Sequence, residues 1–298
     1  MATITLKLKK QNQTYTLGDT VIGSCVIETT KEISHNGIKL YVHGQITMRE
    51  IDNDSGILDN TDNIPSYKLL FITFPLSKVG KLLKGETEIP FEFVLQPLSE
   101  NKLIETYHGA NILINYILSA VILRGRFYQD ITESTELIAK IPPKINYTKL
   151  AKEFIIDQNS VQKHKKIFLK KIGDFQIRGQ IHSLICPISK PFSGYLQIVK
   201  NSNNIKTIDV ELVRTELCRS GSEKILKDLS EIQSVQIVDG NITHDLEIPI
   251  FMLFPKLFTC PTVDTKSFKV TFQINIIVQF TNNFIISENF EIDLIRTN

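Results

Sequence analysis

The sequence predicts an all-β protein built of two tandem β-sandwiches of the two-sheet, immunoglobulin-like kind. Three observations predict it. Alternation of apolar and polar residues with period two recurs from end to end, no segment sustains a long helical period, and strand-like strings of the first half return in the second half in the same order.

The alternating runs come in sequence. Ile4, Leu6 and Leu8 open the chain, followed by Ile38, Leu40 and Val42, then Ile89, Phe91, Phe93 and Leu95, then Ile112, Ile114, Tyr116 and Leu118. In the second half Phe175, Ile177 and Ile181 form one run, and the alternate residues from Phe268 to Phe280 form the longest. Each run is bounded by Gly, Asn, Asp or Pro, as expected of antiparallel strands with one face in a core. Helical signals are confined to two short connectors, at 160–166 and 223–229.

The repeat is anchored by Glu88-Ile89-Pro90 and Glu247-Ile248-Pro249, an offset of 159 (88 to 247). Gly23 matches Gly194 at 171, Ile38 matches Ile208 at 170, and Ile114 matches Phe272 at 158. The offset drops by 11 (170 to 159) between the second and third landmarks, which locates a longer loop in the polar stretch 50–66. The expected domains are 1–148 and 149–298, with I-P-P-K at 141–144 marking the break. Proline cannot donate to a ladder, so Pro90 and Pro249 must stand at a strand start, an edge or a bulge. The first copy reads as one-sided, with Glu88, Pro90, Glu92 and Val94 opposite the apolar row. The second is apolar on both faces, because Pro249, Phe251 and Leu253 oppose Ile248, Ile250 and Met252; that second face is either covered core or a partner site.

Composition narrows the function by exclusion. The 298 residues carry 34 basic and 32 acidic side chains, so a net charge of +2 supplies no global field for nucleic acid or acidic lipid. No apolar run is long enough to span a bilayer, and M-A-T-I-T-L-K-L-K lacks the form of a signal peptide, so a cytoplasmic location is expected. Four cysteines without a C-x-x-C pair fit a reducing compartment. Zinc-protease, phosphate-loop, dinucleotide and nucleophile-elbow motifs are absent, and Phe192-Ser193-Gly194-Tyr195 lacks the flanking glycine of the last. The six histidines are scattered, without the short spacings of a metal site. The expectation is a non-enzymatic protein with no cofactor and no metal. The basic run at 163–171 reads as a solvated connector or, less simply, as a contact for anionic lipid.

Longer strings carry a family resemblance: G-E-T-E-I-P-F-E-F (85–93), E-T-Y-H-G (105–109), E-I-Q-S-V-Q-I-V-D-G (231–240), I-P-I-F-M-L-F-P-K-L-F-T-C-P-T (248–262) and S-E-N-F (287–290). With them the chain resembles the arrestin-like vacuolar protein sorting 26 family from about residue 3 to 296, and its type C branch in E-T-Y-H-G and L-F-T-C-P-T. The resemblance implies a subunit of retriever, a retromer-like assembly that recycles transmembrane cargo from endosomes. The partners it implies are an α-solenoid scaffold subunit (vacuolar protein sorting 35-like), a small shared subunit (vacuolar protein sorting 29), the commander assembly and a sorting nexin cargo adaptor. Location would be peripheral on endosomes, with indirect membrane association. In such proteins the scaffold is gripped by the second sandwich through the loop before the Ile-Pro-Ile strand, which matches Gln236, Ile237, Val238, Asp239 and Gly240 here. An Asp-Gly turn presenting two exposed aliphatics, Ile237 and Val238, suits a small hot spot; the residues read equally well as the end of a strand with both side chains pointing inward. The alternative is a free arrestin-like cargo adaptor that works without a scaffold, although the only Pro-Pro here continues into Lys144 and Ile145 and not into a ligase-binding motif.

Overall fold

The computed structural model describes residues 2–49, 66–97, 103–141, 147–158, 160, 174–202, 204–219, 225–240, 243–255 and 259–297. The expected insertion at 50–66, save the backbone of Ser66, and the basic run at 163–171 therefore lie outside the described residues, as does most of the expected turn at 160–166.

The chain divides into two compact units, Met1–Pro142 and Pro143–Asn298, a boundary six residues before the expected 148. Tyr147 belongs to the second unit, where the Lys190 ammonium donates to its hydroxyl at 3.5 Å. The first unit contains β1 (Ala2–Leu8), β2 (Thr14–Thr16), β3 (Thr20–Thr29), β4 (Ile33–His35), β5 (Ile38–Met48), β6 (Ser66–Ser77), β7 (Gly80–Leu82), β8 (Gly85–Val94), β9 (Tyr107–His108), β10 (Ile112–Ile122) and β11 (Ile131–Lys140). The second contains β12 (Lys152–Asp157), β13 (Phe175–Ile181), β14 (Ile185–Pro187), β15 (Phe192–Asn201), β16 (Ile205–Arg219), β17 (Ile225–Asp239), β18 (Glu247–Met252), β19 (Val263–Asp264), β20 (Phe268–Phe280) and β21 (Ile285–Ile295). Among the described residues no helix occurs.

Each unit is a sandwich. In the first, a sheet ordered β1-β3-β8 packs on one ordered β2-β11-β10-β5-β6, and the rings of Phe74 and Phe93 stack across the gap at 5.7 Å. In the second, β12-β13-β15-β18 packs on β14-β21-β20-β16-β17 through Phe154 on Phe290 at 5.2 Å and Phe175 on Phe280 at 5.3 Å. The period-two reading explains why: every second residue of β10 from Ile112 and of β20 from Phe268 is buried. A fully buried large aliphatic or aromatic side chain contributes about 1.5–3 kcal/mol, so these two central strands carry much of each core.

One polar pair interrupts the second core. Arg214 and Glu216 lie two residues apart on β16, and their side chains, 8% and 0% exposed, meet at 3.2 Å. Charges so deep are tolerated only as a pair.

The duplication extends to register. Gly23 pairs with Phe91 and Ser24 with Pro90; Gly194 pairs with Ile250 and Tyr195 with Pro249. Both prolines sit on β8 and β18, the edge strands of the smaller sheets, and both are exposed. An edge strand is where a missing N–H costs no ladder bond. The central pairs differ more: Ile38 faces Ile122 and Ile208 faces Val278, whereas offsets of 170 and 158 would put residue 280 opposite Ile208 (122 + 158). A two-residue slip keeps every side chain on its own face.

A second shared device lies beside each larger sheet. Thr106 N–H donates to the Ala139 carbonyl at 3.1 Å, while Ala139 N–H donates to Thr106 Oγ1 at 2.9 Å. Thr262 N–H donates to the Leu294 carbonyl at 2.8 Å, and Leu294 N–H to Thr262 Oγ1 at 2.9 Å. Within E-T-Y-H-G, Glu105 is buried and accepts from Ile141 N–H at 2.9 Å, so that string serves the fold.

The expected turn at 223–229 is corrected. Ile225 to Leu229 belong to β17, paired with Arg219 to Thr215 of β16. Hairpin pairing with the end of β16 overrides the local helical pattern there.

Candidate interaction site at the edge of the second sandwich

Residues 236–239 end an edge strand and do not form a loop. β16 and β17 are each 15 residues long, and β17 has no neighbour on its outer side in the sheet order. Their ladder is broken at two places, between Ile208 and Asp209 and between Leu212 and Val213. At these breaks Ile237 and Ile232 are left without a partner on β16. An extra residue on one strand bends it and re-aims side chains, a common device for blunting an edge.

The bulge gives the two expected anchors different surroundings. Val238 pairs with Ile208, which is fully buried, and is itself only 6% exposed. Ile237, the unpaired residue, is half-buried, with Gln236 and Asp239 exposed on either side. The amide of Gln236 donates to the Val238 carbonyl at 3.2 Å across the bulge. Gly240 then ends the strand at φ 78°, a conformation that favours glycine, and its N–H donates to the Lys206 carbonyl at 2.8 Å. The expectation of two exposed aliphatics is therefore corrected: pairing with Ile208 turns Val238 into the core, and Ile237 is half-buried.

Acidic groups surround this edge. Glu231 and Asp239 are exposed on β17, and Asp209 and Glu211 are half-exposed on β16. Burial pushes the Glu211 carboxyl above its ordinary range, and the Glu231 charge adds to the shift.

The strand that follows, β18, settles the open question of the second Glu-Ile-Pro. Ile248, Ile250, Met252 and Phe254 are buried, as the alternation requires. On the other face Phe251 is 57% exposed and Leu253 61%, with Leu246 exposed just ahead of the strand. In the first copy Glu88, Pro90 and Glu92 are exposed and Ile89 is half-buried, so that outer face is mostly polar. The exposed apolar row thus belongs to the second copy.

The rest of that sheet's outer face is mostly polar, with Ile155 56% exposed. Arg178 Nε donates to Gln197 Oε1 at 2.9 Å, and a shallow groove runs between Glu153, Ile155, Tyr195 and Glu247. His182 Nδ1 lies 3.0 Å from Ser193 Oγ, a pairing invisible in the sequence because it joins the residue just after β13 to the neighbouring strand β15. Among the described residues no carboxylate hydrogen-bonds to His182, so the orienting group of a hydrolytic triad is not in place. No cluster of three metal-ligating residues occurs among the described residues, and all four cysteines are buried and outside any disulfide. No helix among them is long and apolar enough to cross a membrane.

Sequence reasoning did not identify Ile232. Its spacing of five from Ile237 was the available signal, but a bulge is a property of two strands together.

Comparison with known proteins points to one family. The model for vacuolar protein sorting-associated protein 26 matches residues 4–283. The chain is 34% identical over 300 residues to vacuolar protein sorting-associated protein 26C of Dictyostelium discoideum, covering 98% of each chain. It is 25% identical over 271 residues to protein 26B of Arabidopsis thaliana, covering 87% of this chain and 77% of that one. It is 23% identical over 278 residues to protein 26 of Caenorhabditis elegans, covering 88% and 66% respectively.

Proposed function

We propose, because this chain belongs to the vacuolar protein sorting-associated protein 26 family, that it is a non-enzymatic subunit of a retriever-like complex recycling transmembrane cargo from endosomes. The family is arrestin-like, and its members take part in endosomal protein sorting. In this reading the end of β17 grips an α-solenoid scaffold subunit. The observation that carries it is Ile237: a bulge leaves this aliphatic side chain unpaired and half-buried near the end of β17, between exposed Gln236 and Asp239. One apolar anchor ringed by polar groups is the usual anatomy of a hot spot.

The acidic neighbours Glu231 and Asp239 favour a scaffold surface bearing Lys or Arg, and give the contact a salt dependence. The small shared subunit, the commander assembly and a sorting nexin adaptor complete the proposed company.

The test is affinity purification of the tagged full-length chain from cells, followed by mass spectrometry. A large helical scaffold is expected to co-purify with wild type and to be lost with Ile237→Asp, at a cost of about 10²-fold in affinity. A chain that elutes as a monomer from native extract would instead support a free cargo adaptor.

A further inference from the structure

Three loops meet at one end of the first sandwich and carry a chemistry that scaffold binding does not use. They are residues 30–37, 77–85 and 123–130. β4 pairs with β7, with His35 opposite Gly80, which joins the first loop to the second. The third joins the first through Asn36 N–H to the Leu123 carbonyl at 2.7 Å and Leu123 N–H to the Gly37 carbonyl at 2.9 Å.

The exposed side chains here are apolar and aromatic. Phe127 is 94% exposed and Val79 75%, with Leu83 at 69% and Tyr128 at 65%, well beyond what isolated surface residues of β6 or β8 show. The basic groups cluster with them. The three segments hold Lys31, Lys78, Lys81, Lys84, Arg124 and Arg126 against two acids, Glu32 and Asp130, a net charge of +4. The whole chain carries +2, so the remainder is −2 (2 − 4). The neutral global balance therefore conceals a cationic tip.

The tip is also ordered by its own bonds. Arg124 N–H donates to Asp130 Oδ1 at 2.6 Å, Tyr128 N–H to the Gly125 carbonyl at 2.9 Å, and the Arg124 guanidinium stacks 4.4 Å from the Tyr128 ring centre. The Thr29 hydroxyl donates to the Leu83 carbonyl, fixing the turn that bears Leu83. Lys81 and Glu32 meet at 2.7 Å. These bonds fix the backbone and leave Phe127 in solvent.

We propose that this end of the first sandwich docks directly on an anionic lipid bilayer, with Phe127 and Leu83 entering the headgroup layer and the lysines and arginines facing acidic headgroups. A bilayer offers what the tip lacks: a negative surface over an apolar layer, in which aromatic rings sit at the boundary and cations remain outside. The apolar side chains stand on three separate turns, each among cations, which suits a planar interface better than a single peptide.

The full-length purified protein is tested by flotation with vesicles of phosphatidylcholine, with and without phosphatidylserine. Wild type is expected to float with the anionic vesicles, and less so as salt is raised. Lys84→Gln with Arg126→Gln should weaken binding about thirtyfold, from about fivefold per cation near such a surface. Phe127→Ser should weaken it about tenfold or more, with an unchanged melting temperature because the ring packs on nothing. Phe251→Ser, which removes a ring 57% exposed on the second sandwich, should float as wild type. The proposal fails if wild type ignores anionic vesicles, if Phe127→Ser floats as well as wild type, or if the tip captures polyglutamate but no vesicle, which would make it a site for an acidic protein. None of these results depends on the scaffold.

Discussion

The ring of Phe91 occupies the space that a side chain on Gly23 would need: a Cβ there would lie 2.6 Å from Phe91 Cζ and 2.6 Å from the Lys7 carbonyl oxygen. Gly194, its counterpart, is blocked by backbone alone, with the Gln180 carbonyl oxygen 2.4 Å away from such a Cβ. Close approach of neighbouring strands is what both glycines permit. Gly23→Ala and Gly194→Ala should each cost about 1–3 kcal/mol through forced repacking, measured by urea unfolding. Midpoints equal to wild type would mean that the strands can separate without penalty.

The Arg214 and Glu216 pair tests what holds the second core. Arg214→Met leaves Glu216, which is fully buried, without its closest cation and should cost about 3–5 kcal/mol. Arg214→Met combined with Glu216→Leu should cost less than the single change, since no charge then remains inside. A double variant less stable than the single would show that the pair contributes more than the desolvation of its members.

The bulge on β17 separates binding from folding. Ile237→Asp should abolish co-purification of the scaffold while lowering the melting temperature less than Val238→Asn does, because the side chain is only half-buried and outside the ladder. Val238→Asn should instead lower stability by about 1–3 kcal/mol, by burying an amide opposite Ile208. Thermal melts and pull-downs of both variants distinguish the roles; a scaffold-competent Ile237→Asp would remove this residue from the interface.

The pH dependence of the first sandwich should run through His35. Its ring is 4% exposed, and Nδ1 accepts from Gly37 N–H at 3.2 Å. Burial holds its pKa below the ordinary 6.5. A histidine whose folded pKa is depressed contributes stability that is present above the unfolded value and is lost as pH falls through the folded one. Stability should therefore decline below about pH 6.5, and His35→Gln should flatten that decline in melts recorded across the range. Parallel declines in both proteins would exclude His35.

Much of this architecture was legible in the residues. The alternation in Ile112 to Leu118 and Phe268 to Phe280 read true because a strand buried on one face must repeat every second residue. Pro90 and Pro249 announced special positions because proline has no N–H to give, although which special position was left open. The Arg-Gly-Arg-Phe-Tyr string stood in plain sight, yet the global charge of +2 hid it, since a net charge carries no information on where the charges gather.

The sequence by itself determined the all-β class, the duplication and the inward face of each long strand, because these follow from local stereochemistry and from repeated text. Tertiary structure alone decided that the prolines lie on edges, that Ile225 to Leu229 are strand, that Val238 is core while Ile237 is released, and that three loops form one cationic tip. Each of these depends on which strand or loop stands alongside, and that is decided by packing across the whole sandwich.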